Sequence, residues 1–296
     1  MHASCPLLAL SLGMVVSACD RCTPDPSEPG PTPHVCAAGS VDRFEKLVYH
    51  VNEFSGFGGT LYLHATGSAR YEANSNATAD VPSVGSYATT LPAASVRAVR
   101  ASLKEADFEH YPDYGELVFH TEGSRALTLF GPGGECGKTI ADSELPRRGR
   151  AFVRVLDGLV AEVRRHPAES LELRARNPRL AGNELSIEAH FCQTGARPVS
   201  LSRLSYGESY LEIDPTLANA LVRVTRIEPL DPNPPEGDAA RQLATGACFR
   251  YRMFAPRPLG RESFGVRIWV KLEGTPAMES YRSDLRSGRI VATLEP

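Results

Sequence analysis

From Pro167 to the C-terminus the apolar residues come in short runs that alternate with polar ones and are cut by Gly and Pro. That pattern excludes most folds, because a period of two lines up one face of an extended strand, whereas a helix needs apolar residues three and four apart. Eight runs are legible: Leu171 to Ala175, Leu185 to Phe191, Val199 to Leu204, Tyr210 to Ile213, Val222 to Ile227, Phe249 to Phe254, Val266 to Leu272 and Ile290 to Leu294. They predict an all-β sandwich domain over 168–296. Between them, Pro229 to Pro235 holds four prolines in seven residues and reads as an exposed loop.

Residues 40–166 carry both periods. Phe44 to Val51 and Gly59 to Ala65 are β-rich, and the glycines of Phe54-Ser55-Gly56-Phe57-Gly58-Gly59 permit a tight or bulged connection between them. Leu91-Pro92 introduces a helix with Val96, Val99 and Leu103 on one face, ending near Asp107. Leu117 to Phe119 and Ala126 to Phe130 read as a hairpin around Glu122-Gly123-Ser124. Phe152, Val155, Leu156, Leu159, Val160 and Val163 then recur at helical spacing, and His166-Pro167 stops that helix. The prediction is an α+β (ββαββα) N-terminal domain over 40–166, followed by the all-β sandwich.

Ahead of both lies an apolar run, Leu7 to Val16, of signal-peptide length. It is too short to span a bilayer, which takes roughly 20 residues. The run closes on Val16-Ser17-Ala18-Cys19, which resembles the lipobox of bacterial lipoproteins: a branched apolar residue, two small ones and the cysteine that becomes the new N-terminus. The resemblance implies that 1–19 is a signal peptide with its lipidated cysteine, and that acyl chains on Cys19 hold the chain to a membrane. Asp20 resembles the inner-membrane retention signal of enteric bacteria, and other groups sort differently, which leaves inner against outer membrane open. Five prolines between Asp20 and Pro33 make 20–36 a tether. At about 3.1 Å per residue it holds the folded part on the order of 40 Å from the bilayer.

With Cys5 and Cys19 set aside, Cys22, Cys36, Cys136, Cys192 and Cys248 remain of the seven cysteines. An exported chain meets a compartment that permits disulfides, and five thiols cannot all pair within one chain. Cys192 and Cys248, at the end of one strand run and the start of another, are expected to pair. Cys36 pairs with Cys22 or with Cys136. Among these five no C-x-x-C occurs, and no paired-histidine spacing points to zinc, so no metal and no cofactor is expected. A net charge of -3 argues against a nucleic-acid partner.

Catalytic patterns are weak. Gly131 to Thr139 resembles G-x-x-x-x-G-K-[ST], but Pro132 occupies the first required glycine, so the segment reads as a glycine-rich loop. Glu105, Asp107, Glu109, His110, Asp113 and Glu116 lack the glycine-bearing spacing of a calcium loop and read as a solvated face. His64 and His190 fall in strand runs and read as strand or surface residues. Three function classes follow: a non-enzymatic binding module of the envelope with a protein or glycan partner, an exported hydrolase or metal-dependent enzyme, and a structural envelope component.

The element order over 40–166, with Phe54 to Gly59 between the first strands and Ala106-Asp107-Phe108 past the first helix, is similar to emfourin. Emfourins are proteinaceous inhibitors of thermolysin-like metalloproteases that carry Gly-Gly-Phe-Ala-Gly, where this chain reads Gly56-Phe57-Gly58-Gly59. The resemblance implies a partner-binding loop at Phe54, Gly56, Phe57, Gly58 and Gly59. Further on, Phe191 to Val199 resembles the hairpin of immunoglobulin-like exported modules, although Trp269 follows both cysteines instead of lying between them.

Overall fold

Tyr87 and Val84 sit three residues apart on one strand, yet each belongs to a different hydrophobic core. The architecture follows from that split. The computed structural model describes residues 36–52, 58–73, 83–113, 124–141, 147–201, 204, 209–213, 221–234, 241–257, 263–273, 282–287 and 290–293. The lipobox, most of the tether, Cys22 and Phe54 to Phe57 lie outside them. A short helix α1 (Ser40–Arg43) leads into strands β1 (Lys46–Asn52), β2 (Gly59–His64), β3 (Ser68–Ala73) and β4 (Ser83–Thr90). Helix α2 (Ala93–Glu105), a hairpin of β5 (Ser124–Gly131) and β6 (Gly134–Ala141), and helix α3 (Arg147–Val163) follow. The remaining strands include β7 (Pro167–Ala181), β8 (Glu184–Gln193), β9 (Val199–Leu201), β10 (Ser209–Ile213), β11 (Leu221–Arg223) and β12 (Arg226–Pro229). Beyond them come β13 (Arg241–Leu243), β14 (Cys248–Pro256), β15 (Ser263–Glu273), β16 (Arg282–Arg286) and β17 (Ile290–Thr293).

The expected ββαββα domain does not form. The chain is mostly β, and its largest element is a ten-stranded antiparallel sheet in the order β12-β14-β8-β7-β4-β3-β2-β1-β5-β6. Four strands precede α2, because β3 and β4 were not legible: β3 turns only Ala69, Tyr71 and Ala73 inward, and β4 is built mainly of Ser, Gly, Ala and Thr. Such small residues are strand-forming only once neighbours bury them. β5 pairs with β1 and β6, and the β5–β6 hairpin turns at Pro132-Gly133; Leu117 to Phe119 and residues 122–123 of the expected hairpin lie outside the described residues.

Pairing of β4 with β7 carries the sheet across the expected boundary at 166–168. Ala73, Gly85 and Ser170 stand in one row across β3, β4 and β7, so their side-chain positions share a face. On β3 that face meets the helices, through Tyr71 and Ala73. On β7 it carries Glu172 and Arg174, while Leu171 and Leu173 point the other way into the second core. The helices therefore cover one face of the first half, and a five-stranded sheet, β11-β10-β15-β16 with β17 beside β15, covers the opposite face of the second half. A separate pair, β13 with β9, completes the strands. The helix core includes Val96, Val99, Leu103, Phe152, Leu156 and Val163, at the spacings that predicted both helices.

Two disulfides staple this body, Cys36–Cys136 and Cys192–Cys248. The first chooses between the partners left open for Cys36 and ties the base of the tether to β6, an edge strand. The second joins residues directly opposite each other on β8 and β14. Such bonds persist in oxidising compartments outside the cytoplasm. Among the described residues, no helix is long and apolar enough to cross a membrane.

Where the halves join, Gly85 has φ +132°, and a Cβ there would lie 2.1 Å from the Glu169 carbonyl oxygen. Gly85→Ala is expected to lose at least about 1–3 kcal/mol of unfolding free energy, as overpacking against backbone does, measured by urea denaturation. Cys36 and Cys136 are 100 residues apart. Replacing both with Ser is expected to cost about 2–4 kcal/mol in the same assay, because the unfolded chain regains the freedom of that loop.

Candidate interaction faces

The acidic residues clustered in sequence disperse into structural bonds. The Glu109 carboxylate accepts from the Gly39 and Val41 amides at 3.1 and 2.9 Å, fastening α1. Asp113 accepts from the Thr139 amide at 2.9 Å on β6. Asp107, at φ 53° past α2, pairs with His110 at 2.8 Å, and the hydrogen bond to Asp107 raises the imidazole pKa. Glu105 is exposed, and Glu116 lies outside the described residues. Among the described residues, no three His, Cys, Asp or Glu side chains gather to hold a metal.

The glycine-rich segment 131–139 is the β5–β6 hairpin, with Gly134 at φ +94° after its two-residue turn. A phosphate cradle needs a loop opening a helix, and here the lysine sits on a strand. Lys138 is 4% exposed, and burial pushes its amine below the ordinary 10.5 while Asp113 opposes the shift. Gly58 and Gly59 of the expected partner loop are needed for close approach. A Cβ on Gly58 would lie 2.0 Å from the Val51 oxygen, and one on Gly59 2.3 Å from the Tyr71 hydroxyl.

The two-sided covering leaves outward faces on both sheets. His50, Tyr62 and Lys46 lie on the outer face of the first half, where the Lys46 amine is 5.2 Å from the Tyr62 ring and 5.6 Å from Phe130. His64 is exposed at the end of β2. The outer face of the second half is an ion-pair lattice. Arg174 meets Glu172 at 2.6 Å, and the Arg250 Nε is 3.0 Å from Asp231. Arg226 meets Glu184 at 3.2 Å and lies over Phe254. Glu188 lies near the centre, accepting from Arg252 at 3.0 Å and Asn177 at 2.9 Å, with His190 at 3.3 Å. Burial alone would raise its carboxyl, but these hydrogen bonds, Arg252 foremost, hold it below the ordinary 4.5. Asp231, hydrogen-bonded by Arg250, is likewise depressed. Its loop is pinned further, because Arg241 donates to the carbonyls of Pro232 and Asn233 at 2.6 Å each.

The third face belongs to the five-stranded sheet. Leu211 and Ile213 of β10, with Val266, Ile268, Val270 and Leu272 of β15, enter the core. Alternation sends Tyr210, Glu212, Arg267, Trp269 and Lys271 outward. Tyr210 and Trp269 are opposite each other, both half-buried, with ring centres 5.7 Å apart and planes tilted by 40°. The Lys271 amine lies 5.6 Å from the Trp269 ring. Exposed Arg223 continues the row beside Tyr210. Sequence reasoning placed these strands but did not draw the row, although the alternation around Ile268 and Val270 already turns Trp269 away from the core.

No family model matches this chain, and no curated protein matches it.

The depressed carboxyls set a pH dependence. Because Glu188 and Asp231 ionise more readily folded than unfolded, their stabilisation is full above the ordinary carboxyl values of 4.5 and 3.8. It is lost as pH falls through the depressed folded values. Thermal unfolding of Glu188→Gln is expected to show a lower midpoint than the parent at pH 7 and a smaller drop from pH 5 to 3.

Proposed function

We propose that this chain is an exported lipoprotein, anchored through acyl chains on Cys19 to a membrane of the cell envelope, whose folded body is a non-enzymatic binding module for a protein or glycan partner. Val16 to Cys19 supports the anchor, and the two disulfides suit the oxidising side of the membrane. The tether of five prolines between Asp20 and Pro33 supports reach, since a module held off the lipid can meet a partner in the wall or on another surface.

One observation carries the binding role: the half-buried Tyr210–Trp269 row stands on the outward face of the five-stranded sheet, with Arg223 and Lys271 beside it. Trp, Tyr and Arg are the residues in which interface energy concentrates. Acid–base catalysis needs titratable groups converging within hydrogen-bond reach of one reacting atom. Here the carboxylates of Glu109 and Asp113 are spent on backbone amides, and that of Glu188 on Arg252 and Asn177. The connection from Phe54 to Gly59 is a second contact in this reading, with Phe57 as its anchor.

Cys19→Ala is expected to abolish acylation and move the protein from the membrane to the soluble fraction, read by intact mass and fractionation. Crosslinking of the anchored protein in its own cells is expected to capture an envelope partner. Unchanged membrane attachment of native protein lacking acyl mass sinks the anchor. Failure to capture anything, while a small molecule raises the melting temperature, sinks the binding module in favour of an enzyme.

A further inference from the structure

The outer face of the five-stranded sheet differs from the other outward faces in how its charges fall. On the second-half face of the large sheet, Arg174, Arg226, Arg250 and Arg252 each meet a carboxylate. Around Trp269, cations predominate. One row across four strands reads Arg223, Tyr210, Trp269, Arg286, and the next reads Leu221, Glu212, Arg267. Lys271 stands two residues along β15, opposite Asp284. Two aromatic rings thus stand next to Arg223 along the row, with Arg267 and Lys271 two residues to either side of Trp269 on β15. Leu221, 46% exposed, adds an apolar patch at the rim.

The backbone pairing of these strands selects among acidic partners. In mid-sheet, backbone N–H and C=O groups are consumed by the ladders that join β11, β10, β15 and β16. A peptide laid across the face would find no backbone partners and would leave its own amides unsatisfied. A sugar ring has no such demand. Its C–H face stacks on an aromatic ring while its hydroxyls, at the ring's rim, stay hydrated. Acid groups along a polysaccharide then fall within reach of guanidinium and ammonium groups beside the rings, where charge-assisted hydrogen bonds are strongest.

We infer that this face, centred on Tyr210 and Trp269 and flanked by Arg223, Arg267 and Lys271, binds an acidic polysaccharide. Sugar rings stack on the two aromatics, and carboxylate or sulfate groups pair with the cations. The inference rests on the binding-module reading above and specifies its ligand class.

The chain holds a single tryptophan, so its emission reports directly on the centre of the site. The full chain is titrated with alginate, polygalacturonate and chondroitin sulfate, with dextran as the neutral control and anionic phosphatidylglycerol vesicles as the lipid control. At least one acidic polysaccharide is expected to give a saturable change in Trp269 emission, weakened by salt, while dextran and vesicles give none. Tyr210→Ala is expected to weaken binding by about tenfold and Tyr210→Phe to retain it, since the ring supplies the contact. Arg223→Glu with Lys271→Glu is expected to abolish the emission change at an unaltered melting temperature. Binding by Trp269→Ala, read by co-sedimentation, is expected to fall with it. No emission change with any of the three polysaccharides overturns the inference. So does a change that survives the charge reversal, or an equal response to vesicles. If crosslinking captures an envelope protein while the polysaccharides leave Trp269 silent, the ligand class falls and the binding module stands. Failure of both assays removes both.

Discussion

The antiparallel pairing of β4 with β7 is the constraint on which the rest of this molecule depends. It splices a helix-covered half and a sheet-covered half into one ten-stranded surface. Because successive residues of a strand point to opposite faces, β4 contributes Tyr87 to the helix core and Val84 to the other core. Gly85 lies between them, and the close approach of the Glu169 carbonyl leaves no room for a side chain there. A register slip of one residue in β4 would exchange its faces and put Val84 and Ser86 on the side where Tyr87 now packs.

From that splice follows the division of surface. Each half of the sheet has one covered and one outward face, and the outward faces hold the polar chemistry. Near Glu188 that chemistry is self-satisfying, with arginines and carboxylates matched across neighbouring strands. Paired ions on an open surface contribute modestly and mainly fix register. Around Tyr210 and Trp269 the positions are less evenly matched, which is why the binding role we propose is assigned to the five-stranded sheet. The disulfides act at the margins, tying the tether base to the β6 edge and closing the β8–β14 ladder at one end.

Much of this is legible in the amino-acid sequence. The faces of α2 and α3, most strand runs after Pro167 and the pairing of Cys192 with Cys248 all follow from local spacing or from proximity to strand ends. Less legible were β3 and β4, where Ser, Gly, Ala and Thr surround the few large inward residues Tyr71, Val84 and Tyr87, and the β5–β6 hairpin, whose glycines imitate a phosphate loop. Val222 to Ile227 reads as one run but divides into β11 and β12 of different sheets, with buried Val224 between them. The acidic group from Glu105 to Glu116 looked like one surface because its members are close in sequence, yet Glu109 and Asp113 reach segments 68 and 26 residues away.

By itself the sequence determined what repeats over a few residues: which stretches alternate, which coil, which side of α3 or β15 is apolar, and so that Trp269 faces away from Ile268 and Val270. Those properties are local, since the geometry of a strand or helix turns residue order directly into facing. Tertiary structure alone decided what depends on distant partners. It chose Cys136 for Cys36, joined the two halves through β4 and β7, assigned carboxylates to amides, and brought Tyr210 beside Trp269, 59 positions further along the chain. Pairing energy between strands is nearly the same in many registers, and the choice among them is made by burying all the apolar faces at once, a condition that no short window of residues contains.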